Sequence, residues 1–134
     1  MIVMNVNDKS DSKVETVAYK GKLFEVKDVW IRWLSQAGPA GSPEYGLRFF
    51  TMGPGGVIPM HNHVYYQTLF VVSGHLSVAW HNPNTEEIVE ERTAGPNDFV
   101  FSPSMELHSI RNLSDTESAT FLCCIGNVCG GEGA

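Results

Sequence analysis

The run Gly55-Gly56-Val57-Ile58-Pro59-Met60-His61-Asn62-His63-Val64-Tyr65-Tyr66-Gln67, continuing through Thr68-Leu69-Phe70-Val71-Val72 to Gly74, decides how this chain is read. His61 and His63 are two residues apart. In an extended strand residues i and i+2 point to the same face, so both imidazoles can reach one point, as two ligands of one metal ion would. Gln67 opens the next apolar run. Two strands joined by Val64-Tyr65-Tyr66 can bring its side chain beside the two histidines. A third imidazole has to come from elsewhere, and His108 is placed to supply it.

Outward from that run the chain breaks into short β-rich segments separated by Gly, Pro and Asn. Residues 1–13 are polar and read as a loose arm or a short edge strand. Residues 17–19 and 23–26 read as two strands around Lys20-Gly21-Lys22, and residues 29–34 as another, ended by the Gly/Pro-rich loop at 38–43. Residues 46–52 form a strand that Gly53-Pro54-Gly55-Gly56 stops, before the central strands at 57–63 and 67–73. Residues 76–80 and 86–92 make a hairpin. Strands follow at 99–101, 108–112 and 119–125, and a Gly-rich tail at 126–134 frays. No window shows a helical period. Short strands with turns every 8–12 residues predict an all-β sandwich or barrel. Ile58, Phe99 and Phe101 are expected to fill it.

The composition narrows the function. At 134 residues this is one domain, and 43% hydrophobic with 18% charged residues is globular rather than disordered. A net charge of −6 argues against nucleic acid as a partner. No apolar run approaches the ~20 residues of a membrane span. The N-terminus lacks a basic region followed by an apolar core, so a cytoplasmic protein is expected. Three cysteines, Cys123, Cys124 and Cys129, without a second pair to build a zinc ribbon, are expected to be reduced thiols.

The two histidine-bearing segments resemble the motifs of the cupin superfamily. Gly55, His61, His63 and Gly74 fall on the first motif, with Gln67 where the family places Glu. Pro103, His108 and Asn112 fall on the second, with Asn97 and Met105 in the places of its two glycines. The resemblance covers about residues 44–126. It implies a double-stranded β-helix (jelly-roll) barrel, typical of small single-domain metal-binding cupins, with a metal at its mouth. The ligands would be His61, His63, Gln67 and His108. Imidazole donors suit a divalent transition metal, with Mn or Fe expected and Zn, Ni or Cu possible. Because Gln67 is neutral, all ligands are, so the ion would keep its full charge and attract anionic or enolate-like groups.

Arg48 lies in an apolar strand, where a buried guanidinium needs an anionic partner. Small cupins that this chain resembles often point a polar group into the pocket from that strand, so Arg48 is the candidate substrate anchor and catalytic residue. Phe121, Cys123 and Ile125 share one face of the last strand and, with Ile58, are candidates for pocket wall or core. Tyr65 or Tyr66 could cover the mouth. His75 and His81 are expected in solvent. Two functions follow from the resemblance: a metal-dependent enzyme on a small oxygen-bearing substrate, by dioxygenase or lyase/isomerase chemistry, or a non-catalytic module that binds metal and a small ligand. A homodimer is implied likewise, through sheet faces, the N-terminal arm or the aromatic run around Trp30 and Trp33.

Overall fold

In β11 (Ala119–Gly126) every second residue, Ala119, Phe121, Cys123 and Ile125, is buried, and those between are not. The same alternation runs through the first half of β5 (Tyr45–His61), where Gly46, Arg48, Phe50 and Met52 face inward. It continues through β6 (Gln67–Ser73), with Gln67, Leu69 and Val71 inside. Period-2 patterning of this kind gives each strand one face for a core and one for the outside. The computed structural model describes residues 1–36 and 44–126. The loop expected at 38–43, Cys129 and the tail after Gly126 lie outside them.

The remaining strands are β1 (Ser12–Lys13), β2 (Thr16–Tyr19), β3 (Lys22–Glu25), β4 (Lys27–Ser35), β7 (Leu76–His81), β8 (Ile88–Ala94), β9 (Phe99–Ser102) and β10 (His108–Asn112). Most join one sheet in the order β8-β7-β10-β5-β11-β6-β9, with β4 also on β5 and β1 on β4. Every pairing is antiparallel. The sheet wraps into an all-β jelly-roll barrel of the double-stranded β-helix type, left open between its end strands β8 and β9. β2 and β3 form a separate hairpin. Among the described residues no helix is long and apolar enough to cross a membrane.

The expected strands at 46–52 and 57–63 are one strand of 17 residues. Gly53-Pro54-Gly55-Gly56 is a corner, not a stop. Before it β5 pairs with β4 and β11; after it, with β10 and, at Val57 alone, with Lys27 of β4. Asn112 fastens the corner. Its Nδ2 donates to the carbonyls of Met52 (3.1 Å), Gly53 (3.0 Å) and Glu117 (2.8 Å), and its Oδ1 accepts from Ser114 N–H (3.0 Å). A side chain at Gly53 would run into the Asp28 carboxylate.

The core holds Val29, Met52, Leu69, Val71, Leu76 and Phe121, all essentially without solvent contact, and Phe50 stacks on Phe121 at 5.0 Å. Phe99 and Phe101 do not fill it; they are 69% and 55% exposed. The register Leu69↔Val100 and Gln67↔Ser102 turns Val100 and Ser102 inward and both phenylalanines out, beside Phe70. The two tryptophans also part company. Trp30 faces out, while Trp33, opposite Arg48, belongs to the inner face. His81 is half-buried, with Nε2 2.8 Å from Ser109 Oγ and Nδ1 3.0 Å from the Glu86 carbonyl. His75 is exposed as expected.

Both positions where the family motif has glycine and this chain does not are in the left-handed region: Asn97 at φ 73° and Met105 at φ 66°. Asn tolerates that region; Met does not, at a cost of about 1–2 kcal/mol. Glycine at 105 would relieve the strain but adds unfolded-state entropy, so Met105→Gly is expected to stabilise the protein by about 0.5–1 kcal/mol. Urea unfolding at constant m-value measures it.

Candidate metal centre

His61 is the last residue of β5 and His108 the first of β10, and they are cross-strand partners. His63 lies two residues beyond β5, in the segment leading to β6. The second-motif turn braces that segment. Met105 N–H donates to the His63 carbonyl (2.8 Å), and Asn62 Nδ2 donates to the Met105 carbonyl (3.3 Å). Ring centroids lie 5.6 Å (61–63), 4.5 Å (61–108) and 4.9 Å (63–108) apart, and one nitrogen from each ring falls within 4.8 Å of the others.

Each ring is oriented by main chain of its own segment. Nδ1 of His61 is 2.9 Å from the Pro59 carbonyl, that of His63 is 3.1 Å from the Tyr65 carbonyl, and that of His108 is 2.8 Å from the Glu106 carbonyl. A carbonyl only accepts, so each Nδ1 carries the proton and each Nε2 presents a lone pair. Nε2 of His63 and of His108 is buried with no hydrogen-bond partner. Such orphaned acceptors are rare unless a ligand completes them. A metal ion held by three Nε2 atoms does so.

Burial, reinforced by the neighbouring rings, keeps the imidazoles neutral. His61 is lowered from 6.5 to about 3, chiefly by desolvation and then by His108. His63 is lowered to about 4 for the same two reasons, and His108 is lowered by desolvation. Neutral imidazole is the metal-binding form.

The ring cluster opens on a cavity of about 780 Å³. Ile58, Phe121 and Cys123 line it, as do Trp33, Phe50 and Tyr65; Ile125 is buried core and does not. Gln67 is buried, opens β6 and lines this cavity. Tyr65 covers the cluster, its ring stacked on His63 at 3.9 Å, and burial raises its hydroxyl pKa. Tyr66 stays outside, stacked on Phe101. A second cavity of about 510 Å³ enters by the open seam between β7–β8 and β9 and shares Gln67, His108 and Ile110 with the first.

Arg48 reaches the cavity from β5 and is buried. One Nη donates to Gln67 Oε1 (3.3 Å) and Cys123 Sγ (2.9 Å). The rings of Phe50, Trp33 and Tyr65 surround the guanidinium at 5.0, 5.6 and 5.9 Å. Desolvation raises the Cys123 thiol pKa, against the pull of Arg48. The sequence reading missed Trp33 and Lys13 as cavity residues. The alternation Val29, Ile31, Trp33 on one strand face was the signal for the first; nothing signalled the second.

A jelly-roll barrel with three convergent histidines at one end is the architecture of a metal-binding β-barrel. The chain belongs to the cupin family: its residues 48–125 match the model of the Cupin_2 cupin domain. No curated protein matches it in sequence. Among solved structures it is similar to the polyketide cyclase RemF from Streptomyces resistomycificus (22% identity, 94% of this chain, 79% of that one, TM-score 0.71). It is also similar to a cupin 2 conserved barrel domain protein from Rhodopseudomonas palustris (17%, 90% and 73%, TM-score 0.64). An oxalate oxidase is a third (16%, 74% and 51%, TM-score 0.62), and the chain spans about half its length. At these identities the likeness is one of fold.

The histidines make a pH prediction. The unfolded chain takes up their protons near 6.5, the folded protein only near 3 to 4. Between those values the unfolded state binds more protons, so folding stability rises with pH and is lost as pH falls through that window. Denaturation midpoints of metal-free protein should drop from about pH 7 to about pH 5, and flatten when His61 and His63 are both replaced by Ala.

Proposed function

We propose that this cupin is a metal-dependent enzyme acting on a small oxygen-bearing substrate. The observation that carries the reading is the set of three neutral imidazoles whose Nε2 atoms converge, two of them buried and unpartnered, at the floor of a cavity. A divalent transition metal, Mn or Fe by preference, would be held by His61, His63 and His108, with Gln67 as fourth ligand. When bound it supplies Lewis acidity and, for a redox-active ion, dioxygen chemistry.

The chain's own residues bind and orient the substrate. Arg48 anchors it from β5, Tyr65 shields the cluster from bulk water, and Ile58 and Phe121 form apolar wall. Structures of this fold include, by name, a cyclase and an oxidase, so both the oxidative branch and the lyase/isomerase branch are compatible with it. One observation favours a second reading, a non-catalytic module that holds metal and ligand. Among the described residues lining the larger cavity there is no carboxylate, and histidines committed to a metal could not act as general bases.

We further propose a homodimer, its interface on the outer barrel face where Phe70, Phe99, Phe101 and Tyr66 are exposed together. Exposed apolar patches of this kind mark contact surfaces. Sedimentation should give a dimer that Phe101→Glu converts to monomer; a monomeric native protein removes the proposal.

Elemental analysis should find one metal per chain. His61→Ala should weaken its binding by more than about 100-fold, since loss of an outer-shell partner alone costs 10–100-fold. The enzyme reading requires turnover of an oxygen-bearing substrate that His61→Ala loses while keeping its circular dichroism. Saturable ligand binding without product, with Mn or Fe and under oxygen, selects the binding module.

A further inference from the structure

Arg48 is a buried cation with no anionic side chain beside it among the described residues. It is 7% exposed, and it hydrogen-bonds only neutral groups among the described residues: the Gln67 carboxamide, the Cys123 thiol and the Tyr65 hydroxyl. Its Nε is buried and has no partner. Three aromatic rings around it supply cation–π attraction but accept no conventional hydrogen bond from that N–H. Removing a charge from water costs several kcal/mol unless it is paired, and buried guanidinium groups are ordinarily paired.

The surroundings deepen the deficit. The described residues lining the larger cavity include no Asp or Glu, and besides the three histidines they include a second basic side chain, Lys13. The acidic residues nearby, Asp98 and Glu106, line the seam cavity instead, where Arg92 accompanies them. A divalent ion on the histidines would add two further positive charges held by neutral donors only. Val14, Ile58 and Phe121 add apolar lining, and the cavity's volume of about 780 Å³ is that of a small-molecule site.

We infer that the larger cavity takes an organic anion, a carboxylate on an apolar or aromatic body, whose head group lies against Arg48 and whose body packs on the aromatic wall. The unpartnered Nε–H would donate to one carboxylate oxygen, and exchange of the neighbouring Nη–H from Gln67 or Cys123 to the second oxygen would complete the side-by-side pair. The anion neutralises Arg48 and, where the metal is present, offsets its charge as well. This deepens the enzyme reading by naming the substrate class, but Arg48 meets the anion whether or not metal is bound.

Isothermal titration with benzoate and its neutral counterpart benzamide tests it, on metal-free and Mn2+-loaded protein. Native protein in both forms is expected to bind benzoate at least about tenfold more tightly, the worth of one charge-assisted hydrogen bond. Arg48→Met, which keeps a long apolar side chain, should bring the two affinities to within about threefold. Arg48→Lys keeps the charge without the fork and should retain part of the preference. It serves as the comparison if Arg48→Met does not fold, as judged by circular dichroism. Equal affinities in native metal-free protein, or a preference that neither variant reduces, overturn the inference. A preference that appears only with Mn2+ and survives Arg48→Met assigns the anion to the metal alone, which overturns the role of Arg48 and leaves the metal reading standing. Failure to bind Mn2+ with the benzoate preference intact sinks the metal reading and supports the anion site.

Discussion

The structure depends on one strand serving two halves of the barrel. β5 gives its first half to β11 and most of β4 and its second half to β10, and the exchange of β11 for β10 takes place at Gly53–Gly56. Backbone carbonyls at such a corner lose ladder partners, and a buried carbonyl without a donor is costly. Asn112 supplies the donor. Its single carboxamide nitrogen serves Met52, Gly53 and Glu117 from the end of β10. The same strand pair sets His61 opposite His108. A slip of one residue would turn both rings to the other face, so the ligand geometry and the corner bond are enforced by one register.

The order of the strands and the three histidines were legible because both rest on spacing. Alternation identifies strands wherever one face is buried, and β6, β7 and β11 lie within a residue or two of where the sequence puts them. What was not legible depends on partners. Gly-Pro-Gly-Gly carries the same signature for a turn as for a sharp corner inside one strand. Phe99 and Phe101 are apolar at period 2, as core residues are, but the residues beside them, Val100 and Ser102, are also small enough to pack inside. Only the pairing with β6 decides between the faces. Met105 shows no propensity for a left-handed backbone; the turn imposes it.

Charge has a similar history. A guanidinium flanked by Leu47 and Phe49-Phe50 announced a buried cation, and the sequence expected an anion to meet it. The fold answers with Gln67 and Cys123, which are polar but uncharged. The histidines are likewise kept neutral by burial and oriented by carbonyls, with no acid in their cluster. Among the described residues the interior of this barrel therefore carries the positive charge of Arg48 without a compensating side chain, in a chain whose net charge is −6.

The walls of the main cavity come from two separate stretches of chain. One stretch, carrying the histidines, comprises β5, β6, β10 and β11. The other is Lys13, Val14 and residues 16–18, before the region that matches the family model. Those residues belong to β1, which is two residues long and pairs with β4, to the link after it, and to the β2–β3 hairpin, which lies outside the main sheet. Substitutions there alter the shape of the chamber without crossing the ladder that carries the histidines. The shape of the chamber and the geometry of the histidine cluster are thus separately adjustable in this molecule.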